Sequence, residues 1–239
     1  MNRVRYTRET DVNTTTATPE LIRTVLGRII FFFAIIALVF FLPAGTWKFW
    51  QAWMWLITMI LLMLITLRYL LKNDPALLER RMRMRERQQQ QWVVLGFSFV
   101  FLMLSFILPG FDQRYGWSNM PAWVALLGDG IVIAGYLLVL LVFKTNTYTS
   151  RIVEVEAGQQ VISSGPYAIV RHPMYVGAVL TYAFTPLALG SYWAFIPGLM
   201  ILPVLIFRII NEEKLLLNEL DGYREYTQKV KYRLLPGVW

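Results

Sequence analysis

Four long apolar runs leave this chain little choice of solvent. A helix crosses the roughly 30 Å of bilayer hydrocarbon with about 20 predominantly apolar residues. The runs extend from Val25 to Leu42, ending at Pro43-Ala44-Gly45; from Phe49 to Leu71, ending at Lys72-Asn73-Asp74-Pro75; from Trp92 to Leu108, ending at Pro109-Gly110; and from Ala122 to Phe143. Trp47, Trp50, Trp53 and Trp55 crowd the first turn, and Trp117 and Trp123 flank the second, as expected of indoles at headgroup level. With 56% hydrophobic and 16% charged residues, the composition excludes an ordinary soluble domain. The absence of cysteine excludes disulfides and thiolate nucleophiles, and a single histidine leaves no set from which to build a histidine metal site. A net charge of +8 would suggest nucleic acid in a soluble protein, but here the charges flank the spans. Membrane lipid is the expected partner, and nucleic acid is not.

After Phe143 the pattern breaks into a polar stretch, residues 144–172, too polar to span and too long for a turn. Apolar sequence resumes from Met174 to Ile210, 37 residues broken near Pro186, Gly190 and Pro197-Gly198. That length suits a helical hairpin that enters the membrane and returns. From Asn211 to Trp239 the chain is charged and amphipathic, with Leu215, Leu216 and Leu220 on one face before Gly222 ends the helix. The expected fold is all-α and polytopic: four spans, a C-terminal hairpin and a cytoplasmic amphipathic helix. Residues 1–24 form a disordered cytoplasmic arm, 25–143 the four transmembrane helices, and 144–239 a cofactor-binding and catalytic region.

Lysine and arginine set the orientation. Five lie in the N-terminal segment, seven in 68–87, three in 144–171 and six in 208–233, against only Lys48 and Arg114 on the opposite side. The 21 to 2 split puts both termini, the polar stretch and the tail in the cytoplasm. With a long polar segment ahead of the first span, no cleavable signal peptide is expected. The run "RMRMRERQQQQ" reads as a topology signal touching anionic lipid.

Two clusters place ionisable groups at cytoplasmic helix ends, where burial demands a partner or a purpose. The first is Gly165-Pro166-Tyr167, then Arg171-His172-Pro173, Tyr175 and Gly177. Gly-Pro makes a turn, and Pro173 suits the first helical position, so His172 lies at a helix N-terminus. Gly177, one turn in, admits a ligand or another backbone. The second cluster is Arg208, Glu212 and Glu213. Arg208 and Glu212 are four residues apart and share a helix face. Because the hairpin returns to the side it left, both clusters are expected at one membrane surface. "GDGIVIAG", residues 128–135, fails the dinucleotide fingerprint in spacing and context, and reads as small residues for close helix packing; Asp129 is left without an assigned partner.

"GPYAIVRHPMYVG", followed some thirty residues later by "RIINEEKLLLNELDGYREYTQKVKYRLLPGVW", resembles the isoprenylcysteine carboxyl methyltransferases and related phospholipid methyltransferases, a family of integral membrane enzymes. The resemblance covers Asn146 to Trp239. It implies a pocket for S-adenosylmethionine built without a Rossmann fold, at the cytoplasmic face, closed by the C-terminal helix. On that resemblance Tyr167, His172, Pro173, Met174 and Tyr175 line the cofactor site, with backbone from Gln159, Gln160, Val161 and Ile162. Glu212 binds cofactor too, Arg208 faces the methyl acceptor, and the role of Glu213 stays open. The acceptor is lipophilic or lipid-modified, a carboxylate among the candidates; the spans that would bind it show no specific match. The alternatives are a membrane reductase using a nicotinamide cofactor, whose sterol-type members share a similar C-terminal plan, and a non-catalytic scaffold or transporter.

Overall fold

The computed structural model describes residues 19–82, 89–149 and 158–239. Most of the expected N-terminal arm, the middle of the arginine-rich run and residues 150–157 of the polar stretch lie outside them. Among the described residues the secondary structure is helical, without a strand: α1 (Pro19–Ala44), α2 (Trp50–Asn73), α3 (Pro75–Met82), α4 (Gln89–Tyr115), α5 (Ala122–Thr145), a single 3-10 turn (Gly165–Ala168), α6 (Pro173–Ala188), α7 (Phe195–Leu199), α8 (Ile201–Glu219) and α9 (Tyr223–Lys229). Four stretches among them are long and apolar enough to cross a membrane: α1, α2, α5, and α7 with α8 from Phe195 to Glu219. The chain folds as an all-α bundle of membrane-spanning character.

Three helices run past the breaks expected of them. α4 continues through Pro109 and Gly110 to Tyr115. Proline lacks the N–H that would bond four residues back, which favours a stop. Packing overrides that preference, because Gly110 sits against α1 so closely that an added Cβ would lie 2.7 Å from the Phe40 carbonyl oxygen. Asp112 then ties the last turn down, accepting hydrogen bonds from the Ser118 amide and the Ser118 and Ser191 hydroxyls. Pro186 likewise lies inside α6, and the hairpin turns instead at Gly190, where φ is +81°. The amphipathic segment from Asn211 is no separate helix but the end of α8, which runs unbroken to Glu219. Gly222, at φ +80°, then opens the short α9.

The core is aromatic on one level. Phe40, Trp55 and Phe106 meet edge to face with centroids 5.4 to 5.7 Å apart, and the Trp55 indole donates to the Thr185 hydroxyl at 3.0 Å. Trp55 is therefore a core residue and not part of the belt. Trp47 and Trp53 do form the exposed rim, flanking Phe41. Asp129 finds its partner across the α2–α5 interface, accepting the Thr58 hydroxyl at 2.9 Å.

α5 and α6 form the most extensive helix pair, and glycines set its spacing. A Cβ on Gly135 would lie 2.8 Å from the Gly177 carbonyl oxygen, and one on Gly177 would lie 2.7 Å from the Gly135 carbonyl oxygen. The space at Gly177 is thus taken by backbone, not by a ligand. Gly135→Ala is expected to cost about 1–3 kcal/mol by overpacking. Gly130→Ala, where an added Cβ meets nothing within 4 Å, should leave unfolding unchanged or raise its midpoint. Thermal unfolding in detergent separates the two.

Candidate functional site

The 3-10 turn begins at Gly165, whose φ of +57° lets the chain turn back toward α5. That places the Tyr167 hydroxyl 3.0 Å from the side-chain amide of Asn146, the residue that closes α5, while the Tyr167 carbonyl accepts the Tyr226 hydroxyl from α9 at 2.8 Å. Burial pushes the Tyr167 phenol up to about 12, the Asn146 hydrogen bond offsetting only part of it. Burial likewise raises Tyr223 and Tyr226, and the Glu213 carboxylate near each adds to the effect. All three phenols are neutral at pH 7.

α6 starts at Pro173 with His172 as its N-cap residue. The backbone just before it is held by the far end of the chain: the Arg171 and His172 amides donate to the Tyr232 and Arg233 carbonyls at 2.9 and 3.0 Å. The Arg171 guanidinium adds hydrogen bonds to the carbonyls of Val230 and Lys231. Residues 230–233 therefore clamp the turn that presents His172.

Glu213 lies at the centre of this assembly. One carboxylate oxygen accepts Arg171 Nε at 2.7 Å and lies 3.2 Å from His172 Nε2; the other accepts Arg233 Nε at 2.7 Å. The side chains of Arg171, His172 and Glu213 are all buried, at 7%, 4% and 6% exposure. Arg233 in turn stacks on Trp239, its guanidinium carbon 5.0 Å from the ring centroid. A charge set this deep persists only because each member is paired.

A second chain of contacts starts one residue away. Arg208 Nε donates to the Tyr175 hydroxyl at 2.9 Å, and that hydroxyl donates to Glu212. The other Glu212 oxygen lies 3.9 Å from His172 Nδ1, so His172 stands between two carboxylates. Glu212 is partly open, at 25% side-chain exposure, where Glu213 is sealed. Two buried polar atoms have no hydrogen-bond partner: the nitrogen of the Asn211 side chain, next in sequence to Glu212, and the hydroxyl of Tyr223, which feels the charges of both glutamates. Unsatisfied buried groups are uncommon, and a pair of them next to a charge cluster marks a place for a polar guest.

Of the expected site residues, His172, Tyr175, Arg208 and Glu212 form one connected cluster, with Tyr167 close enough to feel the Glu212 charge. Pro173 is buried at the α6 start. Met174 packs on the main apolar core. In the 159–162 stretch, Val161 packs on the cluster of Leu220, Tyr223, Tyr226 and Val230, Gln159 and Ile162 are half-buried, and Gln160 is exposed. Sequence reasoning passed over Asn146, Asn211, Tyr223 and Arg233 and left Glu213 open. Only Glu213 carried a signal, as a second carboxylate beside the first.

Fold and site together define a helical membrane protein with a charged, partly enclosed cluster where the 3-10 turn, α6, α8 and α9 meet. Residues 123–221 match the family described as phospholipid methyltransferase. The matched segment runs from α5 past α8 and includes His172, Tyr175, Arg208, Glu212 and Glu213. Among solved structures the chain is similar to the eukaryotic intramembrane Ras methyltransferase ICMT, isoprenylcysteine carboxyl methyltransferase, at 20% identity and a TM-score of 0.46, over 90% of this chain and 86% of that one. No curated protein matches the sequence.

Proposed function

We propose that this protein is an integral membrane methyltransferase that uses S-adenosylmethionine and acts on a lipophilic acceptor. The observation that carries this reading is the connected cluster of His172, Tyr175, Arg208 and Glu212 inside a segment matching a methyltransferase family. Residues 144–239 supply the pocket and 25–143 the membrane scaffold. The lysine and arginine distribution supports a pocket on the cytoplasmic side.

The residues present fit the cofactor. Its ammonium needs a carboxylate, which Glu212 offers with an exposed edge; its carboxylate needs donors, and the Asn211 amide is a buried donor without a partner. Aromatic rings at Tyr167 and Tyr175 suit a sulfonium. His172 and Pro173, with backbone of 159–162, complete the wall, and Met174 backs it from the core side. When bound, S-adenosylmethionine supplies an electrophilic methyl group on a positively charged sulfur. The protein's own work is then positioning and exclusion of water. Arg208, oriented by Tyr175, is the group assigned to the acceptor; a carboxylate there would be held ionised and aligned.

The reading is tested by incubating the purified protein in nanodiscs with a lipid extract and methyl-labelled cofactor. Label should appear in a lipid-soluble product; an extract left unlabelled contradicts the proposal. Arg208→Ala is expected to lower turnover by about 100-fold or more while weakening cofactor affinity less than about tenfold through the freed Tyr175. Complete loss of cofactor binding in that variant would move Arg208 to the cofactor side.

A further inference from the structure

The loop that follows the clamp turns apolar side chains outward. Residues 233–239 fold into a compact turn at Gly237, whose φ is +80°. The amides of Arg233, Leu234 and Leu235 all donate to the Trp239 carbonyl oxygen at 2.9 to 3.3 Å, and those of Val238 and Trp239 donate back to the Leu235 carbonyl at 3.1 Å. Val238 and Leu235 nonetheless stand 73% and 56% exposed, and Ile169, two residues before the clamped Arg171, is 60% exposed. Tyr232 is exposed beside them. In water these amides would need no internal acceptor, and the apolar side chains would gain nothing by facing out. Irregular backbone at membrane depth, by contrast, must satisfy its own polar groups. This loop does so.

Helix lengths place it at the bilayer boundary. At the far rim α6 ends beside α2: a Cβ on Gly190, two residues past α6, would lie 2.9 Å from the side-chain nitrogen of Gln51, the second residue of α2. From that rim α2 runs 24 residues, about 36 Å, and clears the roughly 30 Å of hydrocarbon. α6 runs only 16 residues, about 24 Å. Its first residue, Pro173, therefore stops short of the opposite headgroups, and any tilt shortens its reach further. Residues 232 and 233, whose carbonyls accept the Arg171 and His172 amides, lie at the same depth. Ile169, Tyr232, Leu235 and Val238 thus emerge where acyl chains meet headgroups. Lys229 and Lys231, both exposed, stand just ahead of the loop, and their long stems can carry the ammonium groups out to phosphate level.

We infer that the loop of residues 232–239, together with Ile169, inserts into the near leaflet with Lys229 and Lys231 on its anionic headgroups, so that lipid backs the clamp holding His172. This concerns how the loop meets the bilayer and does not depend on the methyl-transfer reading. The chain has no native cysteine, so a single one introduced as Ile169→Cys, Leu235→Cys or Val238→Cys can carry a nitroxide. In nanodiscs of phosphatidylcholine with a quarter phosphatidylglycerol, paramagnetic resonance compares access of oxygen, which concentrates in lipid, with access of a water-soluble nickel chelate. The references are Leu137→Cys, exposed in the middle of α5, and Glu219→Cys, six residues or about 9 Å beyond Glu213 on α8. The oxygen-to-nickel ratio at Leu235 and Val238 should exceed that at Glu219 by about tenfold and approach that at Leu137, with Ile169 following them. Lys229→Gln with Lys231→Gln, or discs without phosphatidylglycerol, should lower the Val238 ratio about two- to threefold. Ratios at Leu235 and Val238 no higher than at Glu219 overturn the inference, since the loop then faces water. High ratios indifferent to both changes overturn the role given to the lysines.

Discussion

Glu213→Ala is expected to lower the thermal unfolding midpoint by about 10 °C or more, because it leaves the buried Arg171, the partly exposed Arg233 and the buried His172 imidazole without their common anion. Arg171 and His172 keep their backbone anchors to residues 230–233, so neither can swing into solvent to recover hydration. Removing one partner of a buried ion set typically costs about 3–5 kcal/mol. In a chain of this size each kcal/mol moves the midpoint by roughly 2–4 °C. Glu213→Gln, which retains shape and one acceptor, should fall between wild type and alanine. An alanine variant that melts with the wild type would show that Glu213 does not hold the turn to the C-terminal segment.

The neighbouring carboxylate should fail differently. Glu212→Ala is expected to weaken S-adenosylmethionine binding by about 100-fold or more, while leaving the unfolding midpoint near that of the wild type. Glu212 keeps a quarter of its side chain exposed, and the groups its removal affects keep other partners: Tyr175 still has Arg208, and His172 still has Glu213. Calorimetric titration reads the first effect and a thermal melt the second. If affinity is unchanged, Glu212 does not contact the cofactor; if stability collapses instead, it shares the structural role of Glu213.

The different settings of the two adjacent glutamates, one partly open and one sealed, were only half legible in the sequence. Spacing of four between Arg208 and Glu212 identified the face toward Tyr175, since neighbours on a helix are three or four apart. Glu213 lies about 100° further round, and what it meets comes from elsewhere: Arg171 is 42 positions away and Arg233 is 20. No local periodicity reports a partner at that distance. The clamp of residues 230–233 on the turn before α6 was invisible for the same reason, being made of backbone groups that every residue carries. Features fixed by neighbours in sequence were readable, such as the Gly-Pro turn, Pro173 at the first helical position and the hairpin after it. Features fixed by packing were not. Pro109 stays helical because α1 grips Gly110, and Trp55 turns inward to Thr185 although its sequence neighbours face the rim. Met174, grouped with the pocket by its place in the motif, presents its side chain to the core.

A cluster around His172, Tyr175 and Glu212 that is shaped for a methyl donor should bind one. The most direct measurement is a titration of the purified protein, in detergent or nanodiscs, with S-adenosylmethionine, S-adenosylhomocysteine and a reduced nicotinamide dinucleotide. Saturable binding of the first two at one per chain, with none of the third, is the expected result. Binding of the nicotinamide in their place, or of none of the three, would contradict it.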